Sequence, residues 1–260
     1  MYEVKPGETY TKTAHGLADM GAIRSPYWFK TFVYIFSLAN RKTLAGDYAL
    51  AKPENVLVLA WRFSHGDFDI APVRVTIPEG SSAAEESAIL AKALKDFKSD
   101  DFLAGIKSGN LEGYLFPDTY LFLPNATASD TIGLMRQTFD EKTAPLEGAI
   151  ATSGHPLADI VAMASVLEGE ARTDSDMKLI AGILWKRLSI GMPLQVDSAP
   201  ETYQKRGLPA PIGNPGLSAI TDALYPTPSK YLYFISDKQG NIHYAKTLNE
   251  QNTNVAKYLK

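Results

Sequence analysis

The stretch LADIVAMASVLEGEA, residues 157–171, sets a carboxylate where a packed helix should be apolar. Its apolar positions recur at gaps of three or four residues, the spacing of a helix. At about 100° per residue, Leu157, Val161, Ala164 and Glu168 fall within roughly 60° of one another. Glu168 therefore extends the apolar stripe, whereas Glu170 points away from it. A carboxyl on a core-facing stripe is costly to ionise, so its pKa is expected to rise, as a general acid near neutral pH requires. From the pattern alone, a helix-end Glu paired with Lys or Arg, or curled out to solvent, remains the alternative.

The residues around Glu168 carry more. ASVLEGEA (164–171) is followed by AGILWKRLSIGMPLQVD (181–197), GLPAPIGNPG (207–216) and YLYFISD (231–237), and preceded by VTIPEG (75–80) and LEGYLFPDTYLF (111–122). In this order these motifs resemble the YceG-like (MltG) family of endolytic murein transglycosylases, over nearly the whole chain. The resemblance implies an α+β fold, with a small LysM-like subdomain at residues 1–70 and a larger mixed catalytic domain at residues 71–260. It also implies peptidoglycan glycan strands as substrate and no cofactor, with the family's catalytic Glu falling on Glu168. Cell-wall synthases (penicillin-binding proteins) are expected partners. Family members usually carry an N-terminal membrane anchor, so an anchor is expected in the full-length protein, which places it at the extracytoplasmic face of the bacterial cytoplasmic membrane.

Composition is compatible with this and bounds it. The chain has 260 residues, 45% of them hydrophobic, enough for two modest domains or one elaborated one. A net charge of −3 gives no electrostatic footprint for nucleic acid. There is no cysteine, so neither a disulfide nor a thiolate metal site can form. His15, His65, His155 and His243 are scattered without the spacing of a zinc site, and no metal is expected. The most apolar early run, WFKTFVYIFSLA (28–39), is too short to span a bilayer and is interrupted by Lys30.

The first seventy residues read as a short strand, a Pro-Gly turn, a helix over 11–20 and a core helix over 28–39. A hairpin is expected next, with Gly46-Asp47-Tyr48 leading one strand and Lys52-Pro53 turning into 56–63. Tyr27, Trp28 and Trp61 are expected in the core rather than on a sugar-stacking surface. A strand over 73–77 then leads to Ser82, which caps a helix opening with Glu85 and Glu86. Another helix covers 101–107. Pro117 makes 111–122 a bent, exposed loop flanked by short extended pieces. Its Glu112, Asp118, Tyr114 and Tyr120 suit a sugar-binding cleft wall, since carboxylates accept hydroxyl protons and rings stack on pyranose faces; a turn in which Asp118 caps its own backbone is the alternative. Helices at 131–143 and 174–189 follow, the latter ended by Gly191, with Lys186 and Arg187 favouring its dipole. MPLQVD then brings Gln195 and Asp197 back in extended form. The chain closes with a short helix at 217–224, a hairpin of 231–236 with 241–245, and a helix over 249–260.

Gln195, Asp197, Tyr203 and Asn214 complete the candidate substrate-binding set, with Asn214, Pro215 and Gly216 shaping a rigid loop over the site. Two departures from the family pattern stand out. Only Ser198, Ala199, Pro200 and Glu201 separate Asp197 from Thr202-Tyr203, where most members carry a longer insertion. Ala210 also replaces the usual Pro, and no Gly precedes Pro211. Both bear on the wall of the glycan groove and on internal versus terminal cleavage. Three readings follow: a lyase using Glu168 as acid then base, a hydrolase in which Asp197, Glu112 or Asp118 activates water, and a non-catalytic glycan-binding scaffold.

Overall fold

A computed structural model describes residues 1–38, 40–50 and 54–259. The fold mixes helices with two-stranded sheets. The chain forms two compact units, Met1–Val73 with Leu123–Asn125, and Arg74–Phe122 with Ala126–Lys260.

In the first unit, β1 (Tyr2–Val4) leads through a turn at Gly7 (φ 79°) into α1 (Tyr10–Asp19) and then α2 (Pro26–Phe36). The Thr9 side chain caps α1 by accepting from the Lys12 N–H, and Pro26 starts α2 at the first turn, where its missing N–H costs nothing. Strand β2 (Gly46–Tyr48) pairs antiparallel with β1, Tyr2 opposite Tyr48. The expected hairpin partner, 56–63, is not a strand: Val56–His65 is helix α3. Asn55 caps it by accepting from the Val58 N–H at 2.8 Å, and Gly66 ends it in the left-handed region. Its buried residues Leu59, Ala60 and Phe63 follow helical spacing, so the caps at Asn55 and Gly66 outweigh β-branched content. The Lys52-Pro53 turn and the expected helix ends at Ala39 and Lys260 lie outside the described residues.

This unit has its own core, with Phe63 stacked on Tyr48 at 3.7 Å between ring centroids and edge-on to Phe29. Burying each such ring contributes about 1.5–3 kcal/mol. Arg62, also buried, reaches both Glu54 oxygens at 2.8 Å and the carbonyls of Ala49 and Asp67. Tyr27, Trp28 and Trp61 are not core residues: they are 66%, 52% and 44% exposed. The buried face of α2 is instead Phe29 and Val33, four residues apart, which turns its neighbours outward.

The second unit opens within β3 (Val73–Thr76), which precedes α4 (Ala83–Ala93) and α5 (Ser99–Gly109), and β4 (Thr119–Phe122) pairs with β3. Ser82 and Glu85 form a reciprocal capping box at the start of α4. Residues 111–122 are not an exposed loop. Leu115, Phe116, Tyr120 and Phe122 are buried, because the bend at Pro117 lets both arms face inward. Helix α6 (Ala128–Thr143) runs through a 3₁₀ turn into α7 (Glu147–Ser153). Pro145 sits in that 3₁₀ turn, so the helical path continues with altered geometry.

Helices α8 (Leu157–Glu170) and α9 (Asp174–Ser189) pack on α10 (Leu217–Leu224), followed by the hairpin of β5 (Tyr233–Ser236) and β6 (Ile242–Ala245) and by α11 (Leu248–Tyr258). Every residue of α8 from Ile160 to Leu167 is buried, so the helix is apolar all round rather than striped. Leu157, assigned to the stripe, is only partly buried. The MPLQVD segment is not continuously extended: Gln195 adopts φ 50° and Val196 bridges Ala199 across a tight turn. Among the described residues no single helix is long and apolar enough to cross a membrane.

Candidate active site

Glu168 lies in the last turn of α8, half-buried, at the edge of a cleft of about 500 Å³. The cleft is walled by 168–172 on one side and by the 236–240 turn of the β5–β6 hairpin on the other. Burial pushes the Glu168 carboxyl above the ordinary carboxylate range, and the nearby Glu79 charge adds to this. The C-terminal end of a helix dipole acts in the same direction. A hydrogen bond opposes them: the Gly216 N–H donates to Glu168 Oε1 at 2.9 Å. The outcome is a carboxyl with a raised pKa, held in one place by a backbone donor.

The loop 212–216 is fixed to α8 at two points one helical turn apart. The Ile212 N–H donates to Ser165 Oγ at 3.2 Å, and the Gly216 N–H reaches Glu168. Asn214, wholly buried, fastens the other side of that loop. Its Oδ1 accepts from the Leu115 N–H, its Nδ2 donates to Glu86 Oε1 and the Ser81 carbonyl, and its backbone pairs with Gly80 and Ser81. Gly213 permits this approach, since a Cβ there would lie 2.3 Å from the Gly80 carbonyl oxygen. Asn214 thus has its side-chain polar atoms engaged within the protein and is not placed to hold sugar.

Other residues singled out from the sequence divide. Gln195, Asp197 and Tyr203 are exposed and adjacent, with the Tyr203 hydroxyl donating to Asp197 Oδ1 at 2.7 Å. That bond is the first cause of the Tyr203 phenol being raised to about 12. They adjoin the Glu168 helix through Ser198, whose N–H donates to Glu170 Oε1 and whose side chain lies against Gly169. Tyr120 is only 5% exposed and its hydroxyl donates to the Phe116 carbonyl, so it offers no face to a pyranose. Asp118 accepts from its neighbour's N–H at Thr119 and pairs with Lys142, while Glu112 accepts from the Ala83 N–H. These three brace the fold, not the cleft beside Glu168; burial inside that brace also pushes Glu112 upward.

Several residues near the site escaped the sequence reading. Glu79 leans against Gly216, where a Cβ would meet its Oε1 at 2.0 Å. Its signal was the PEG of VTIPEG. Glu170, expected to point away, lines the same cleft and holds Ser198. Arg187, read as a dipole complement, is buried and clasps the carbonyls of Leu194 and Leu232, joining the 192–199 loop to the hairpin. Asp237, in the opposite wall, accepts from the N–H groups of Gln239 and Asn241 and pairs with His243, which holds it down at about 2. The described residues contain no cluster of three or more His, Cys, Asp or Glu side chains suited to a metal ion.

The sequence profile of the YceG-like family matches residues 2–201 and 197–257, two segments that meet at the short loop after Asp197. An endolytic murein transglycosylase of Bacillus subtilis is 28% identical over 98% of this chain and 84% of its own length. One from Streptococcus pneumoniae is 30% identical over 57% of this chain; the match covers only 32% of that longer protein. The crystal structure of a YceG-like protein from Listeria monocytogenes superposes with a TM-score of 0.64, at 26% identity, covering 96% of this chain and 97% of that one. In fold, motif order and sequence, the chain belongs to the YceG-like family.

Proposed function

We propose that this chain is a peptidoglycan lytic transglycosylase that cleaves within glycan strands between N-acetylmuramic acid and N-acetylglucosamine. The observation that carries the reading is Glu168: one carboxyl with a raised pKa, fixed by the Gly216 N–H at the edge of an open cleft. Protonated, it gives its proton to the glycosidic oxygen. As carboxylate it then accepts the proton of the C6 hydroxyl of the same muramoyl unit, whose oxygen closes on C1 as a 1,6-anhydro ring. The intramolecular attack avoids recruiting a second reactant, and consumes no water.

In this reading Gln195, Asp197 and Tyr203 hold sugar beside the acid, and the cut ends a growing strand outside the cytoplasmic membrane. In the same reading the exposed rings of Tyr27 and Trp28 on α2, and of Trp61 on α3, stack on sugar in a LysM-like role. A hydrolytic outcome has one observation in its favour, the Glu79 carboxylate next to Gly216, which could activate water. Mass spectrometry of products from purified, uncrosslinked glycan strands decides between them. Anhydro-muramoyl ends, lighter by one water, are expected; reducing ends alone would overturn the lyase.

A further inference from the structure

Glu86 has no part in the chemistry above, yet it is the most completely enclosed carboxyl in the network behind Glu168. It stands in the first turn of α4 beside the exposed cap residue Glu85 and is 0% exposed. Its Oε1 accepts from Asn214 Nδ2 at 3.0 Å, and its Oε2 has no partner. The ionisable groups that bear on it are Glu112 from the 111–113 turn, Glu85 from its own helix and the Tyr120 phenol from β4; no cation pairs with it among the described residues. Burial, with Glu112 second, raises it to about 9, so it is carried as a neutral acid at pH 7.

A buried carboxyl is expensive unless it serves as a specific hydrogen-bonding group. Its one bond goes to Asn214, two residues before the Gly216 N–H that fixes Glu168. The same Asn214 binds Ser81 and Gly80, the turn that carries Glu79. Both backbone segments around the Glu168 carboxyl are therefore pinned to one residue, Asn214, whose amide Glu86 holds together with the Leu115 N–H and the Ser81 carbonyl. We propose that Glu86 is a positioning residue for the lytic reaction: as a hydrogen-bond acceptor it holds Asn214, and so sets the Gly216 N–H against Glu168.

This rests on Glu168 being the acid. Two variants separate the roles of shape and acceptor. E86Q keeps a carbonyl acceptor and should retain cleavage within about threefold. E86M fills the space without an acceptor and should lose at least about tenfold in kcat with little change in KM. Because the Gly216 bond holds Glu168 down, E86M should also move the alkaline limb of kcat/KM to higher pH, and E86Q should not. A loss of folded protein alone would lower the rate without moving that limb. Titration of the Glu168 side-chain carboxyl by NMR gives the same comparison independently of activity: an upward shift in E86M only is expected. E86M with an unchanged Glu168 titration, or E86Q shifted as far as E86M, would overturn the inference. A wild-type protein that yields no anhydro ends would instead count against the lyase.

Discussion

Gly216 and Glu168, 48 residues apart in sequence, meet through a 2.9 Å hydrogen bond from a backbone N–H to a carboxylate oxygen. The donor is a backbone group, so the tuning of Glu168 is built into the path of the loop. Its surroundings push the carboxyl up by burial and by Glu79, and this bond draws it part of the way back.

Replacing Glu168 by Gln keeps size and reach but removes the titrating proton. E168Q should fold with an unchanged unfolding midpoint, still bind glycan and lose cleavage by at least about 10²-fold. D197N should cost less if Asp197 only positions substrate. Rate and product assays on the two variants settle both.

Removing the Glu79 charge should act on Glu168 in the direction opposite to loss of the Gly216 bond. A neighbouring carboxylate disfavours ionisation, so E79Q lowers the Glu168 pKa. Cleavage needs the protonated form and declines as pH rises through that pKa. The alkaline limb of kcat/KM should consequently shift to lower pH in E79Q; an unmoved limb would show that Glu79 does not tune the acid.

Glu86 links stability to pH. Its pKa is about 9 in the folded chain and about 4.5 when free, so between these values the folded state binds more protons than the unfolded one. Stability from this group is fully present below about 4.5 and is lost as pH rises toward 9. Urea midpoints of E86Q relative to wild type should therefore improve steadily from pH 5 to 9, by an amount that a surface Glu→Gln control does not show.

Gly182, inside α9, has the Thr227 carbonyl oxygen where its Cβ would stand, at 1.9 Å. Because the obstacle is backbone, α9 and the 225–229 segment must separate. G182A, although favourable to an isolated helix, should destabilise by roughly 1–3 kcal/mol in urea unfolding.

The exposed tryptophans allow a direct test of sugar contact by the first unit. W28A and W61A remove rings that are about half buried, so each should cost about 1–3 kcal/mol of stability and leave the unit folded. If these rings stack on saccharide, each variant should sediment less well with purified peptidoglycan. Equal sedimentation would remove the glycan contact from this unit.

How far the sequence could be read depended on whether the signal was local. Ser82 with Glu85 and the Asp237–Gly240 turn are punctuated by neighbours in the chain, and the elements they mark lie where the sequence predicts them. The helix at Val56–His65 was missed because Val56, Leu57 and Val58 suggest a strand, and Asn55 and Gly66 had to be weighed against them. Glu168 could be placed on its helix and its burial anticipated, but not the Glu79 charge and the Gly216 N–H that also act on it, since both come from distant segments. Asn214, Tyr120 and Glu86 show the limit most clearly. Asn214 meets Leu115, Glu86 and Ser81 at separations of 99 to 133 residues, and Tyr120 is turned inward with its whole strand, so no periodicity carries whether these groups face sugar or core.

Helix α8 works as a ruler as much as a scaffold. With eight consecutive residues enclosed, it has no free face on which an added or missing residue could be absorbed. A single deletion between Ile160 and Leu167 would turn Glu168 by about 100° and draw it back by about 1.5 Å, away from the Gly216 N–H and into packed side chains. Length changes in related chains should accordingly accumulate in segments such as the one after Asp197, while the count of residues from Pro156 to Glu168 stays fixed.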